Sequence, residues 1–486
     1  MKKVMKHYTA LLLIIYTLSV CSCQQEQAIE DVTGSISDAS ASSEAAASDR
    51  LPELDFDGKE FRIMTFDPAT LTWARAELDI AEQTGDIMDD AIYDRNRAVE
   101  ERLNIEIVQL TRPYGDNDLA KMRQWIMSGD DLFEVGMEFV NNSRTLAMEG
   151  LLVDYGDLKY VDLSREWWCQ DLNKSTSLAG KHYLVYGDYS ISTHDNTSVL
   201  IFNKELYNNL AFDESLYDIV EHGEWTYDEM NEKLSAAVAD LNGDSVMDES
   251  DRYGYVSEAK EVLPSFWVAA GETTIDKDAS DIPCFQLDQD VRFADVIDGI
   301  FDLMLNGNHW YNITNVDNGL VSDIFINNQA LFSHATLFAV EKLRDMDSDF
   351  GIIPYPKYDA EQTEYYSRVG GGQFGVIPLT NSVLDFTGAV MEALSSESRM
   401  SVIPAYYNVA LTSKYSRDDE SAGMLDIIFQ NRVYDLGDTF WVTLLRDGIF
   451  RKMMTNGDRN LASAIQSVKS QVEASIAETI EGIMNN

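Results

Sequence analysis

The chain has 486 residues, 45% of them hydrophobic and 10% aromatic, and a net charge of −46. That length is enough for two lobes with buried cores. So acidic a chain repels phosphate backbones and anionic lipid surfaces, which argues against nucleic acid as a partner and leaves neutral or cationic ligands and divalent metal open.

Lys2, Lys3 and Lys6 precede an apolar run from Leu11 to Val20. The run falls well short of the roughly twenty residues that cross a bilayer core, so the pattern reads as a secretory signal. It ends in Val20-Cys21-Ser22-Cys23, followed by Gln24-Gln25-Glu26. This resembles the bacterial lipoprotein signal, in which a cysteine after a small residue receives lipid and becomes the mature N-terminus. Cys23, with Ser22 before it, fits better than Cys21, which follows the bulkier Val20. Residues 1–23 are therefore read as the signal, with lipid on Cys23. Residues 24–50 are rich in Ser, Ala and acids and have no aromatic residue, the composition of a flexible tether. Cys169 and Cys284 remain, either paired in an oxidising compartment or as two buried thiols.

From Leu51 the pattern is that of an α/β fold. Phe61, Ile63 and Thr65 alternate in a strand over Glu60–Phe66, and Met88, Ile92, Val99 and Leu103 recur at helical spacing across Asp86–Leu103. Further strands are expected at Asn104–Leu110, Leu132–Phe139, Ser198–Asn203, Ala330–Ala335, Phe350–Pro356 and Gly372–Leu379. Alternating strands and helices predict βαβ units and a largely parallel sheet. From Asp385 onward the pattern is mostly helical. It ends in one apolar stripe of Leu461, Ile465, Val468, Val472, Ile476, Ile480 and Ile483, read as a helix packed on a lobe.

The clearest chemical motif is a loop at 240–251. Asp240, Asn242, Asp244, Asp248 and Asp251 put oxygen side chains at positions one, three, five, nine and twelve, and Val246 would offer its carbonyl at position seven. Calcium takes six to eight oxygens at such spacing, and the loop resembles EF-hand and dockerin loops. Ser245 replaces the usual turn glycine and Asp251 the longer glutamate, so a weak to moderate structural calcium site is expected. Gly370-Gly371-Gly372-Gln373-Phe374-Gly375 matches a dinucleotide fingerprint in letters only. It runs into Val376-Ile377-Pro378, which opens no helix, so it reads as a glycine loop beside a ligand or between lobes. No paired histidines of a zinc helix and no nucleophile elbow occur.

Several stretches together resemble the family 1 extracellular solute-binding proteins, relatives of maltose-binding protein, over most of residues 55–450. They are Ser128-Gly129-Asp130-Asp131 leading to Leu146–Leu152; Ser198–Tyr207; Trp225–Met230 running into the acidic loop; Phe266–Gly271; Asn328–Phe332; and Phe350–Pro356. The resemblance implies a two-lobed α/β fold of the type II periplasmic-binding-protein kind with ligand in the cleft. It divides the chain into lobe 1 (51–195 plus about 354–400) and lobe 2 (196–353 plus about 401–486), with the hinge near Asp195–Ser198. It implies cleft residues at Glu138, Phe139 and Asn141 after the third strand, at Asn196 in the hinge, and at Trp267 and Trp441 as aromatic platforms for a sugar, to which the glycine loop adds Gly371. Leu337 and Phe338 stand where a third platform is common, which counts against maltodextrin specificity.

Sugars present apolar C–H faces to rings and a rim of hydroxyls to carboxylates and amides. The resemblance thus implies a monomeric lipoprotein on the outer face of the cell membrane that captures a carbohydrate for the permease subunits of an ABC importer, and no enzyme. The rivals are a surface glycoside hydrolase or lyase using clustered carboxylates, and an adhesion or scaffolding protein.

Overall fold

The structure, a computed structural model, describes residues 49–485 apart from Asp116, 314–320, 341–342, 344–345 and 413–419. The signal, Cys23 and nearly all of the tether lie outside the described residues. Glu53–Asn486 forms one compact unit, and it contains two main sheets.

The first sheet takes shape as the alternation predicts. Strand β1 (Lys59–Phe66) pairs in parallel with β2 (Ile105–Arg112) and with β3 (Val135–Phe139). Helix α1 (Ile87–Leu103) bridges β1 to β2. Asp86 caps its start by accepting from the Met88 and Asp89 amides, and Asn104 ends it in the left-handed region. Its stripe of Met88, Ile92, Val99 and Leu103 is buried.

The second sheet differs from expectation. Its order is Phe350–Ile353, Ser198–Asn203, Ala330–Thr336, Tyr253–Ser257 and Trp310–Asn312. Ser198–Asn203 pairs antiparallel with both of its neighbours, whereas Tyr253–Ser257 pairs in parallel with Ala330–Thr336 and with Trp310–Asn312, so the sheet is mixed. Sequence reading missed two of its strands. Tyr253–Ser257 is buried at all five positions and shows no alternation, and Trp310–Asn312 is three residues long.

The lobe boundaries also shift. Phe350–Ile353 stays within the second sheet, and the chain regains the first sheet only at Gln373–Val376, antiparallel to β3. Two crossing segments meet where Thr197 bridges Val369. The helix Val402–Thr412, expected on the second lobe, packs with Leu384–Met400 against α1, whereas Glu420–Gln430 packs on Phe350–Ile353. The final helix (Leu461–Met484) touches both Val140–Met148 of the first lobe and Leu287–Gln289 of the second. At about 1.5 Å per residue it is long enough to span the two.

Trp167 and Trp168 are wholly buried in the first lobe. Their indole N–H groups donate to Glu392 at 3.1 and 2.8 Å, and burial pushes that carboxyl up to about 7. Cys169 and Cys284 are free thiols. Cys169 is buried, which raises it to about 11.

Candidate functional site between the lobes

The carboxyl ends of β1, β2 and β3 open toward the crossing segments, the place where open α/β sheets bind ligands. A cavity of about 600 Å³ lies there, within the range of small-ligand clefts. Its first-lobe wall is aromatic. After β1 the chain turns through an irregular segment that carries Trp73, Tyr114 follows β2, and Phe139 ends β3. Trp73 stacks on Phe139 with centroids 5.0 Å apart, and Phe139 stacks on Phe66 at 5.2 Å. Tyr114 stands edge-on to Trp73 at 5.7 Å. Rings packed in this way form a platform with one outward face, not a cage around a void.

Behind the platform lies a buried ion pair. Arg112 bonds to Glu138 and lies 3.5 Å from Asp118, and Asn142 donates to Glu138 at 2.9 Å. Arg112 also sits 4.1 Å over the Phe66 ring, which joins the pair to the platform.

The second-lobe wall is polar and charged. Arg368, 3% exposed, grips Asp438 through Nε and Nη2 at 2.6 and 3.1 Å and reaches Glu261 through Nη1 at 2.5 Å. Arg446 approaches Asp438 at 3.5 Å, and His334 Nε2 lies 3.8 Å from Glu261. Burial alone would raise Glu261, but the Arg368 guanidinium overrides it and holds the carboxyl well below its usual range. Burial lowers His334 to about 4, so the imidazole is neutral at pH 7 despite the nearby carboxylate.

The floor is the hinge. Asn196 anchors its side-chain amide on the Ser192 carbonyl at 2.8 Å, and its Oδ1 faces Gly371. A Cβ at Gly370 would lie 2.8 Å from the Arg368 guanidinium carbon, so glycine there lets Arg368 fold back toward Asp438. Gly372 adopts a φ of 118°, which side chains rarely accept.

Phe139, Asn141, Asn196 and Gly371 all line this cavity. Three expected residues do not. Glu138 is wholly buried behind the wall, bound to Arg112. Trp267 is 0% exposed, packed on Phe450 at 4.9 Å, with its indole donating to Asp435 at 3.0 Å. Its helix, Ala259–Ala269, meets the cavity through Lys260 and Glu261, and Trp267 lies about 9 Å further along the axis. Trp441 is 1% exposed and turned toward the final helix, donating to Ser475 at 3.1 Å, while its neighbours Thr439 and Val442 line the cavity. Trp73, Tyr114, Arg368, Asp438 and Arg446 were not anticipated. The Trp73-Ala74-Arg75 loop has no period to flag it, and Arg368 and Asp438 stand 70 residues apart.

In the loop at 240–251, Ser245 takes a left-handed φ of 66°, the conformation for which calcium loops normally use glycine. The side-chain oxygens are engaged with the loop's own amides: Asp240 accepts from Gly243 and Ser245, and Asp251 accepts from Leu241 and Asp248. Among the described residues no three His, Cys, Asp or Glu groups are placed to hold a metal. A cation there would have to draw the side chains inward.

No family model matches the sequence, and no curated protein matches it. Solved structures do match in fold. The cyclic alpha-maltosyl-1,6-maltose binding protein from Arthrobacter globiformis aligns over 88% of this chain and 100% of its own, with a TM-score of 0.58 at 14% identity. The ABC substrate-binding protein Lmo0181 from Listeria monocytogenes, in complex with cycloalternan, aligns over 87% of this chain and 100% of its own, with a TM-score of 0.55 at 11% identity. UgpB from Mycobacterium tuberculosis, in complex with glycerophosphocholine, aligns over 84% of this chain and 100% of its own, with a TM-score of 0.54 at 14% identity. With its two sheets, its paired crossings and a cavity between them, the chain has the two-lobed, type II periplasmic-binding-protein fold of these substrate-binding proteins.

Proposed function

We propose that the protein captures an oligosaccharide between its lobes and delivers it to the permease subunits of an ABC importer. The observation that carries this is the cavity itself, with the Trp73–Tyr114–Phe139 platform on one side and the Glu261–Arg368–Asp438 network on the other. Rings cover the apolar face of a sugar while carboxylates and guanidiniums bind its hydroxyls. The named ligands of two of the structural neighbours, cycloalternan and cyclic maltosyl-maltose, support the same class. Glu261 is held ionised by Arg368 and so does not serve as the proton donor that a glycosidase needs.

Titration calorimetry and thermal shift against mono- and oligosaccharides test this. Sugar bound and recovered intact is the expected result, and cleaved sugar overturns it. We also propose that lipid on Cys23 holds the protein at the outer face of the membrane. Cys23→Ala should move it to the soluble fraction, because one thioether carries the anchor, and retention of the mutant in the membrane overturns that assignment. Calcium at 240–251, supported by the oxygen spacing and the left-handed Ser245, would act as a structural clip.

A further inference from the structure

The charged groups on both walls of the cavity are matched within the protein. On the second-lobe wall, Lys260 lies 2.8 Å from Glu258 and 3.9 Å from Glu261. Arg368 is shared between Asp438 and Glu261. Arg446 lies 3.5 Å from Asp438 and 3.2 Å from Asp447. Three cations there meet four carboxylates. On the first-lobe wall a single cation, Arg112, meets two, Asp118 and Glu138. No cation in these networks carries surplus charge, although a chain of net charge −46 would need a concentrated positive site to hold an anion.

Resting on the capture reading above, we infer that the cavity selects a neutral, hydroxyl-rich ligand and rejects its acidic counterpart, and that Glu261 and Asp438 set this choice by neutralising Arg368. A hydroxyl both donates to a carboxylate lone pair and accepts from a guanidinium N–H, so it joins the network without disturbing its balance. A carboxylate or phosphate brought to the same place meets guanidinium charge already spent on Asp438 and Glu261, and meets those two as like charges at close range. The network gives no such ground for rejecting an amine, because carboxylates outnumber cations on both walls.

The experiment is calorimetry at low salt and pH 7 on the whole mature chain. The probes are neutral di- and trisaccharides and the same sugars oxidised to uronates. The wild type should bind the neutral member of a matched pair at least about tenfold more tightly than the uronate, a difference of about 1.4 kcal/mol. Glu261→Gln frees positive charge on Arg368 and should narrow the neutral-to-uronate ratio by about tenfold, mainly by strengthening the uronate. Glu258→Gln, which releases Lys260 at a more exposed position, should narrow it less and keeps the test alive should the first variant fold poorly. A wild type that prefers the uronate overturns this inference and leaves carbohydrate capture standing, as do variants that weaken every probe alike. A folded wild type that binds no sugar in any set overturns the capture reading itself, and this inference with it.

Discussion

On the first-lobe wall of the cavity, Trp73, Tyr114 and Phe139 hold one another by ring contact, and Trp73 and Phe139 are only partly buried. On the second-lobe wall, Arg368, Asp438 and Glu261 hold one another by charge, and Arg368 and Asp438 are at most 3% exposed. Ring contact is worth about 0.5–1.5 kcal/mol per pair beyond area burial, and it survives the loss of one member. A buried ion network behaves differently, because removing one member leaves an uncompensated charge. The comparison teaches that one wall can vary with modest cost to the fold, whereas the other is bound to it.

The strongest way to break this contrast is Arg368→Met. Asp438 and Glu261 would then face each other without their shared cation, and the protein should lose about 3–5 kcal/mol in urea unfolding. A loss below about 1 kcal/mol would show that charge does not hold that wall. Trp73→Ala asks the opposite question. Carbohydrate binding should weaken by about 1–3 kcal/mol while the melting temperature stays nearly constant, since the ring is partly exposed already. A large drop in melting temperature with unchanged affinity would return Trp73 to the core.

Glu392 sharpens the contrast from outside the cavity. It is as buried as Asp438, but its side-chain partners are two indole N–H groups and no cation. Burial lifts it to about 7, so the folded protein holds this proton more tightly than the unfolded chain does. Its contribution to stability is fully present below the unfolded carboxyl range and is lost as pH rises through about 7. Glu392 should therefore contribute a fall of about 2 kcal/mol in unfolding free energy between pH 5 and 8, and Glu392→Gln should remove that share of the slope. Glu261, held low by Arg368, should contribute no slope in that window. The smallest effect concerns the acidic loop. Millimolar calcium should raise the melting temperature by about 1–2 °C, and Asp244→Ala should abolish the rise. No shift against chelator would leave the loop as a solvated turn.

How far the sequence could be read follows the same division. Strands with plain alternation or a continuous apolar run, such as Lys59–Phe66 and Ser198–Asn203, were legible, as was the capped helix Ile87–Leu103. Part of the cavity was visible: the resemblance placed Phe139, Asn141 and Asn196, and the glycine loop placed Gly371. The rest of the platform was not visible, because Trp73 sits in a loop without a period, and Trp267 and Trp441 stood out only as tryptophans. Both have the setting of core residues: Phe266 and Val268 flank one, and Phe440 lies tilted against the other at 5.8 Å. The charged wall was hidden for another reason. With 83 acidic residues no carboxylate is conspicuous, and Asp438 gains meaning only when the fold brings Arg368 to it.

Of the eight tryptophans, Trp73 alone lines the cavity, whereas Trp167, Trp168, Trp225, Trp267 and Trp441 are wholly buried. The intrinsic fluorescence of the protein is thus a large, blue-shifted background on which one indole responds to the cleft. Ligand entry should quench or shift only that small fraction of the emission. Replacing Trp73 by Phe should silence the response while leaving the spectrum nearly intact, so a single ring serves as the built-in optical reporter of an occupied cavity.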